Sequence, residues 1–180
     1  MINLNNKIEL SRPSWTDWFL TLAIIAARRS PDGQTKHGAI IANKHNQILS
    51  SGFNGFPSGM KDYELPNLRP DKYYFVGPLH AEVNAILNST NSKLKGSYVY
   101  VTGKPCNNCL FVMNQKRIKK VFYADLPGGQ NLTENNEEVK QIFLQQTKIK
   151  LYPVKPDWEI WKLLATEFYG KDILLKMKNL

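Results

Sequence analysis

Soft metal ligands are scarce in this chain, which holds two cysteines and three histidines in 180 residues. The cysteines, Cys106 and Cys109, fall three residues apart. If both bind metal, none is left for a disulfide, which fits a reducing compartment. No stretch approaches the roughly 20 apolar residues of a membrane span. The polar start Met1-Ile2-Asn3-Leu4-Asn5-Asn6 has no signal-peptide apolar region. The expected location is therefore cytoplasmic, in the host cytoplasm if the chain is viral, with no membrane partner. Internal repeats and low-complexity segments are missing too. Although the formal net charge is +9, there is no basic tail. The densest basic run, Lys116-Arg117-Ile118-Lys119-Lys120, reads as a solvated helix end. A nucleic-acid partner is not expected, and a modest positive field suits a phosphorylated small molecule.

What is present fits one compact domain. With 42% hydrophobic and 22% charged residues, the chain can bury a sizeable core, placed at about 14–155 with a C-terminal helical segment over 156–180. Ser14 and Asp17 resemble a capping box, and Trp15, Trp18, Phe19, Leu22, Ile25 and Ala26 recur at helical spacing, so a first helix runs to about Arg29. Ser30-Pro31-Asp32-Gly33 stops it. The apolar run Gly38–Ala42 predicts a strand buried on both faces, and a turn at Lys44-His45-Asn46 joins it to a second strand near Gln47–Ser51. Residues 52–78 form a long irregular stretch, read as the wall of a pocket. Helices are predicted to start near His80, near Cys106 and at Thr133, with strands over 97–102, 119–125 and 149–154. A helix joins the last two strands, so they must be parallel. A final helix from Asp157 carries Trp158, Trp161, Leu164 and Phe168 as a core or interface stripe.

Chemistry concentrates in His80-Ala81-Glu82 and Pro105-Cys106-Asn107-Asn108-Cys109. The two cysteines stand one helical turn apart, so both sulfurs can face one ion. With His80 they make three protein ligands for one zinc per chain. That is one short of the closed tetrahedron of a structural site, and the open position implies catalysis with water. Glu82, two residues beyond His80, can serve as the proton shuttle without being a ligand. A Cys-x-x-Cys pair also occurs in zinc ribbons and redox dithiols. Here the ribbon lacks its second pair, and the redox reading would need the pair at the start of a thioredoxin-like domain.

These motifs match the His-x-Glu and Pro-Cys-x-x-Cys pattern of zinc deaminases. More narrowly, Arg29-Ser30, Gly38-Ala39, the run from Gly52-Phe53-Asn54-Gly55 to Gly59, His80 to Ile86 and Pro105 to Cys109 resemble the deoxycytidylate (dCMP) deaminases of the cytidine deaminase superfamily. The resemblance implies an α/β/α sandwich around a mixed five-stranded sheet. It also implies hydrolytic deamination of dCMP, with zinc on His80, Cys106 and Cys109 and proton transfer by Glu82. It carries nucleotide contact to Asn54, which can alternatively cap a turn, and phosphate contact to Arg29, Ser30 and Lys36, each of which can alternatively be a loop residue. It further suggests a homo-oligomer, with a hexamer favoured, and dCTP or dTTP as regulators. His37 replaces the small apolar residue often found before Gly-Ala in relatives and is not assigned to metal. Once the catalytic set is removed no cysteine remains, so a second zinc is not expected. Residues 65–74 match no motif of the family.

Three functions compete at this stage. A dCMP deaminase is the first, with dCTP deamination as its near variant. A nucleic-acid base deaminase, acting on tRNA or single strands, would share the zinc motifs. The third is a non-catalytic zinc-binding module, which leaves Glu82 without a use.

Overall fold

Ser14 sets the start of the first helix, α1 (Trp15–Ala27): its Oγ accepts from the Asp17 amide at 3.1 Å and donates to Asp17 Oδ2 at 2.6 Å. One donor of the open first turn is thereby satisfied. The computed structural model describes residues 12–72, 74, 79–90, 94–125 and 136–155. Along α1, Phe19, Leu20, Ala23 and Ala27 are buried, as the helical spacing requires. Burying side chains the size of Phe19 and Leu20 contributes about 1.5–3 kcal/mol each, enough to dock a helix whose outer face is wet.

The strands are β1 (Gly38–Ala42), β2 (Ile48–Phe53), β3 (Tyr98–Val101), β4 (Lys120–Ala124) and β5 (Lys150–Val154), in the sheet order β2-β1-β3-β4-β5. β1 is antiparallel to both neighbours, whereas β3, β4 and β5 run parallel. The helices are α2 (Ala81–Leu87), α3 (Asn107–Gln115) and α4 (Glu137–Gln146), with a short 3-10 turn at Asp62–Glu64. The mixed five-stranded sheet and its parallel last pair are those expected from the sequence. Pro153 lies in β5 at the sheet edge, where a missing N–H is tolerated.

β1 is buried at every position, and its alternation divides the core in two. Ile40 and Ala42 pack with Phe19, Leu20, Ala23 and Tyr100 on one face. Ala39 and Ile41 pack with Ala81, Ala85, Leu110 and Met113 on the other. The sheet therefore lies between α1 and the helices that carry the Cys and His motifs. Two glycines let these layers close. A Cβ on Gly38 would stand 2.0 Å from the Ala23 carbonyl oxygen of α1, and one on Gly52 would stand 2.3 Å from the Ala85 amide nitrogen of α2. Nothing larger than hydrogen fits at either point.

Gly38 pairs with Phe53 and Ala39 with Val101, so the start of β1 lies beside the ends of β2 and β3. Thr102 fixes this corner, its Oγ1 accepting from the Gly38 amide at 3.0 Å. The predicted helix from Asp157 lies outside the described residues, as does the start of the fourth helix at Thr133. No helix among the described residues is long and apolar enough to cross a membrane.

Candidate active site

His80 and Cys106 occupy equivalent local positions: each is the extended residue immediately before a helix, His80 before α2 and Cys106 before α3. Cys106 Sγ also caps its helix by accepting from the Cys109 amide at 3.4 Å. The three-residue spacing thus becomes a turn with both sulfurs on one side. α2 is held against β2 through Ala81, Ala85 and Gly52, which brings His80 to the sulfurs. His80 Nδ1 lies 3.4 Å from Cys106 Sγ and 3.4 Å from Cys109 Sγ.

These donors fit a metal ion. All three ligand atoms lie within 4.8 Å of one another. A tetrahedral zinc with ordinary Zn–N and Zn–S lengths separates a nitrogen from a sulfur donor by about 3.5 Å, close to the observed spacing. Among the described residues this is the one such group of His, Cys, Asp or Glu side chains. The thiols share a proton unequally. Cys106 is brought down to about 4, first by its hydrogen bond with Cys109 and, against the effect of burial, by His80. Cys109 is pushed far up by the same bond and by burial. A metal that takes both as thiolates must displace that proton.

Glu82 stands in the first turn of α2 and is 5% exposed. Burial raises its pKa above the usual carboxylate range, against the opposing effects of a backbone hydrogen bond and of His80. Its carboxyl group is in hydrogen-bond contact with Cys109 but is not part of the donor group. A carboxyl so placed can exchange protons beside the metal position without occupying it.

A second cluster lies where the α1–β1 loop meets the end of β2. Asn54, 6% exposed, has its side-chain amide fully engaged by protein. Its Oδ1 accepts from the His37 amide at 2.7 Å, and its Nδ2 donates to the Thr35 carbonyl at 2.8 Å and to Asp32 Oδ2 at 3.3 Å. Ser30, 2% exposed, donates through Oγ to the Asn54 carbonyl at 2.7 Å and accepts from the Asp32 amide. Lys36 Nζ donates to the Ser30 carbonyl. Arg29 is exposed, and its guanidinium has no hydrogen-bond or ion-pair partner among the described residues. His37 turns Nδ1 toward Thr102 Oγ1 at 3.1 Å, and burial, then the nearby His80, lower its pKa.

The structure thus brings His80, Cys106, Cys109 and Glu82 together, and places Ser30, Lys36 and Asn54 in one network, with Arg29 exposed at its margin. Two members of that network were not found by sequence reasoning. In the sequence Asp32 reads only as part of a helix stop, its role half visible in the Ser-Pro-Asp-Gly turn. Lys72 had no sequence signal at all, being a lysine in a stretch without a motif.

With this geometry in view, comparison with known proteins is direct. The family described as "Cytidine and deoxycytidylate deaminase zinc-binding region" matches residues 13–125. The deoxycytidylate deaminase of Homo sapiens is 38% identical over 115 residues, which cover 61% of this chain and 64% of that protein. The deoxycytidylate deaminase of Mycobacterium phage D29 is 30% identical over 131 residues, 63% of this chain and 97% of that one. The match thus spans a little under two thirds of the length of the human relative. Among solved structures, the dCMP deaminase of cyanophage S-TIM5 in complex with dCMP and dUMP superposes with a TM-score of 0.59 at 25% identity, covering 81% of this chain and all of that one. The matched region contains the three metal donors, Glu82 and the whole Ser30–Asn54 network, and the chain belongs to the cytidine and deoxycytidylate deaminase zinc-binding family.

Proposed function

We propose that this protein hydrolyses the C4 amino group of a cytosine nucleotide, with dCMP as substrate and dUMP and ammonia as products. One observation carries the reading: three metal donors and a buried, non-ligating carboxylate converge at one corner of a dCMP-deaminase-like fold. His80, Cys106 and Cys109 would hold zinc, which when bound supplies Lewis acidity to the attacking water. Glu82 accepts the proton that this water loses as its oxygen bonds to C4. The same carboxyl passes that proton to N3, then takes the second proton from the hydroxyl now on C4 and delivers it to the departing amino group as the C4–N bond breaks, so both protons of the water are used and the count closes without free acid. Arg29 and Lys36 supply positive charge for the 5′-phosphate, on which charge-assisted hydrogen bonds act strongly. Ser30 and Asn54 shape the wall that faces the nucleotide.

The chain acts in the cytoplasm as a single domain that assembles as a homo-oligomer, a hexamer being favoured. Supporting assembly, Trp15, Ile25, Leu87 and Ile142 are each about half exposed or more and are apolar side chains available for contact with a second copy. dCTP and dTTP are its candidate regulators. Ammonia release should be followed with dCMP, dCTP, CMP, deoxycytidine and a short single strand as substrates. The expected result is preferential turnover of dCMP. Preference for the strand would establish a nucleic-acid base deaminase instead, and turnover of none would leave a zinc-binding module.

A further inference from the structure

Lys72 sits in a stretch whose neighbours are mostly exposed: Asn67, Leu68, Arg69, Pro70 and Asp71 all face solvent. Its own side chain is 3% exposed and that of its partner Asp32 is 4% exposed. The ammonium lies 2.7 Å from each oxygen of the Asp32 carboxylate. The same carboxylate accepts the amides of Gln34 and Thr35 at 2.8 Å each on Oδ1, while Asn54 Nδ2 approaches Oδ2. Burial alone would raise the Asp32 pKa. The hydrogen bonds from Lys72, Thr35 and Gln34 outweigh it and hold the carboxyl below its usual range. Asp32 is thus a junction between three segments: the α1–β1 loop, the end of β2, and the stretch that carries Lys72.

That junction connects to the metal corner. The Asn54 amide donates to the His37 carbonyl at 3.1 Å, and the Gly55 amide donates at 3.2 Å to the carbonyl of Leu79, the residue before His80. From the other side Asn84, two residues beyond Glu82, donates to the Phe53 carbonyl at 2.8 Å. These bonds tie the β2 end to the residue before His80 and to α2, so the β2 end is the fixed side against which the 29–37 loop is held. Two further contacts tie the Lys72 stretch to the α1–β1 loop: the Gly33 amide donates to the Asn67 carbonyl at 3.1 Å, and the Arg69 amide donates to Gln34 Oε1 at 2.9 Å.

A buried ion pair is a poor source of net stability, because desolvating two charges consumes most of the Coulombic gain and an apolar pair of similar volume does as well. What it supplies is a single geometry. A carboxylate met by an ammonium on one edge and by Asn54 and two loop amides elsewhere has one arrangement that satisfies every partner. We propose that Lys72 is a positioning residue for nucleotide binding: by clamping Asp32 it locks the 29–37 loop, with Arg29 and Lys36, against the β2 end at Asn54. It does this without touching the substrate. The inference deepens the functional reading above and rests on it for the identity of the ligand.

The test compares wild-type protein with Lys72→Met, Lys72→Arg and the double variant Asp32→Asn/Lys72→Met, measuring kcat and KM for dCMP, zinc per chain and thermal midpoint. Lys72→Met should raise KM about tenfold or more, keeping kcat within about threefold and zinc unchanged, as expected when binding geometry but not chemistry is lost. Lys72→Arg, which keeps the charge, should recover part of the loss in KM. The double variant decides the matter even if Lys72→Met does not fold. With no unpaired charge left buried, it should regain thermal stability yet keep the raised KM. A double variant with wild-type KM would reduce the pair to a structural contact and overturn the proposal, as would Lys72→Met with lowered kcat at unchanged KM. Wild-type protein that forms no dUMP from dCMP would overturn the functional reading itself, a result distinct from either.

Discussion

The metal corner and the loop network meet at one end of the sheet but are assembled in opposite ways. At the metal corner three donors come from two helix starts, and each is fixed by local backbone: His80 before α2, and Cys106 and Cys109 across the first turn of α3. In the loop network the partners Ser30, Asp32, Asn54 and Lys72 span more than 40 positions of sequence and meet through side-chain hydrogen bonds between separate segments. The metal corner uses rare residue types that chemistry demands. The network uses common polar residues that become specific only through burial. On the proposed function the first region performs the reaction and the second holds a shape, so perturbing them should separate kcat from KM.

The largest expected separation comes from Glu82→Gln. If Glu82 moves protons and does not bind metal, this variant should keep its zinc and fold while kcat falls about a hundredfold or more, the usual scale of general acid–base catalysis. KM for dCMP should change little. Elemental analysis beside steady-state kinetics reads both quantities, and loss of zinc in this variant would place Glu82 among the ligands.

Arg29→Ala probes the other side of the contrast with a smaller effect. Loss of charged hydrogen bonds to a phosphate costs about 1.5–3 kcal/mol, which corresponds to a rise in KM for dCMP of about tenfold to about a hundredfold. Deoxycytidine, which lacks the phosphate, should react at the wild-type rate, however slow that is. Equal losses on both substrates would make Arg29 a structural residue.

The same contrast explains what could be read in the sequence. His-Ala-Glu and Pro-Cys-Asn-Asn-Cys were legible because ligand chemistry fixes both residue type and spacing. The strand Gly38–Ala42 was legible because its unbroken apolar run has no use except burial on both faces, and Ile40 and Ile41 do pack on opposite sides. Ser14 and Asp17 gave the start of α1 through local hydrogen bonding. Lys72 was not legible. A lysine among exposed residues reads as a solvated one, and only the fold brings Asp32, 40 positions away, within 2.7 Å of its ammonium. Asn54 was visible as a special residue in a Gly-Phe-Asn-Gly loop. Its partners were not, because His37, Thr35 and Asp32 meet it through tertiary pairing of β1 with β2.

The claim on which the rest depends is that His80, Cys106 and Cys109 form one open metal site that drives the reaction. Titrating zinc into metal-free protein while recording ammonia release from dCMP tests it most directly. Activity should rise in proportion to zinc bound and level at about one ion per chain, the number that three clustered donors can hold. Cys106→Ser, carried through the same titration, should bind zinc far more weakly and stay inactive. Full activity in the metal-free protein, or activity that rises until two ions are bound per chain, would contradict the account.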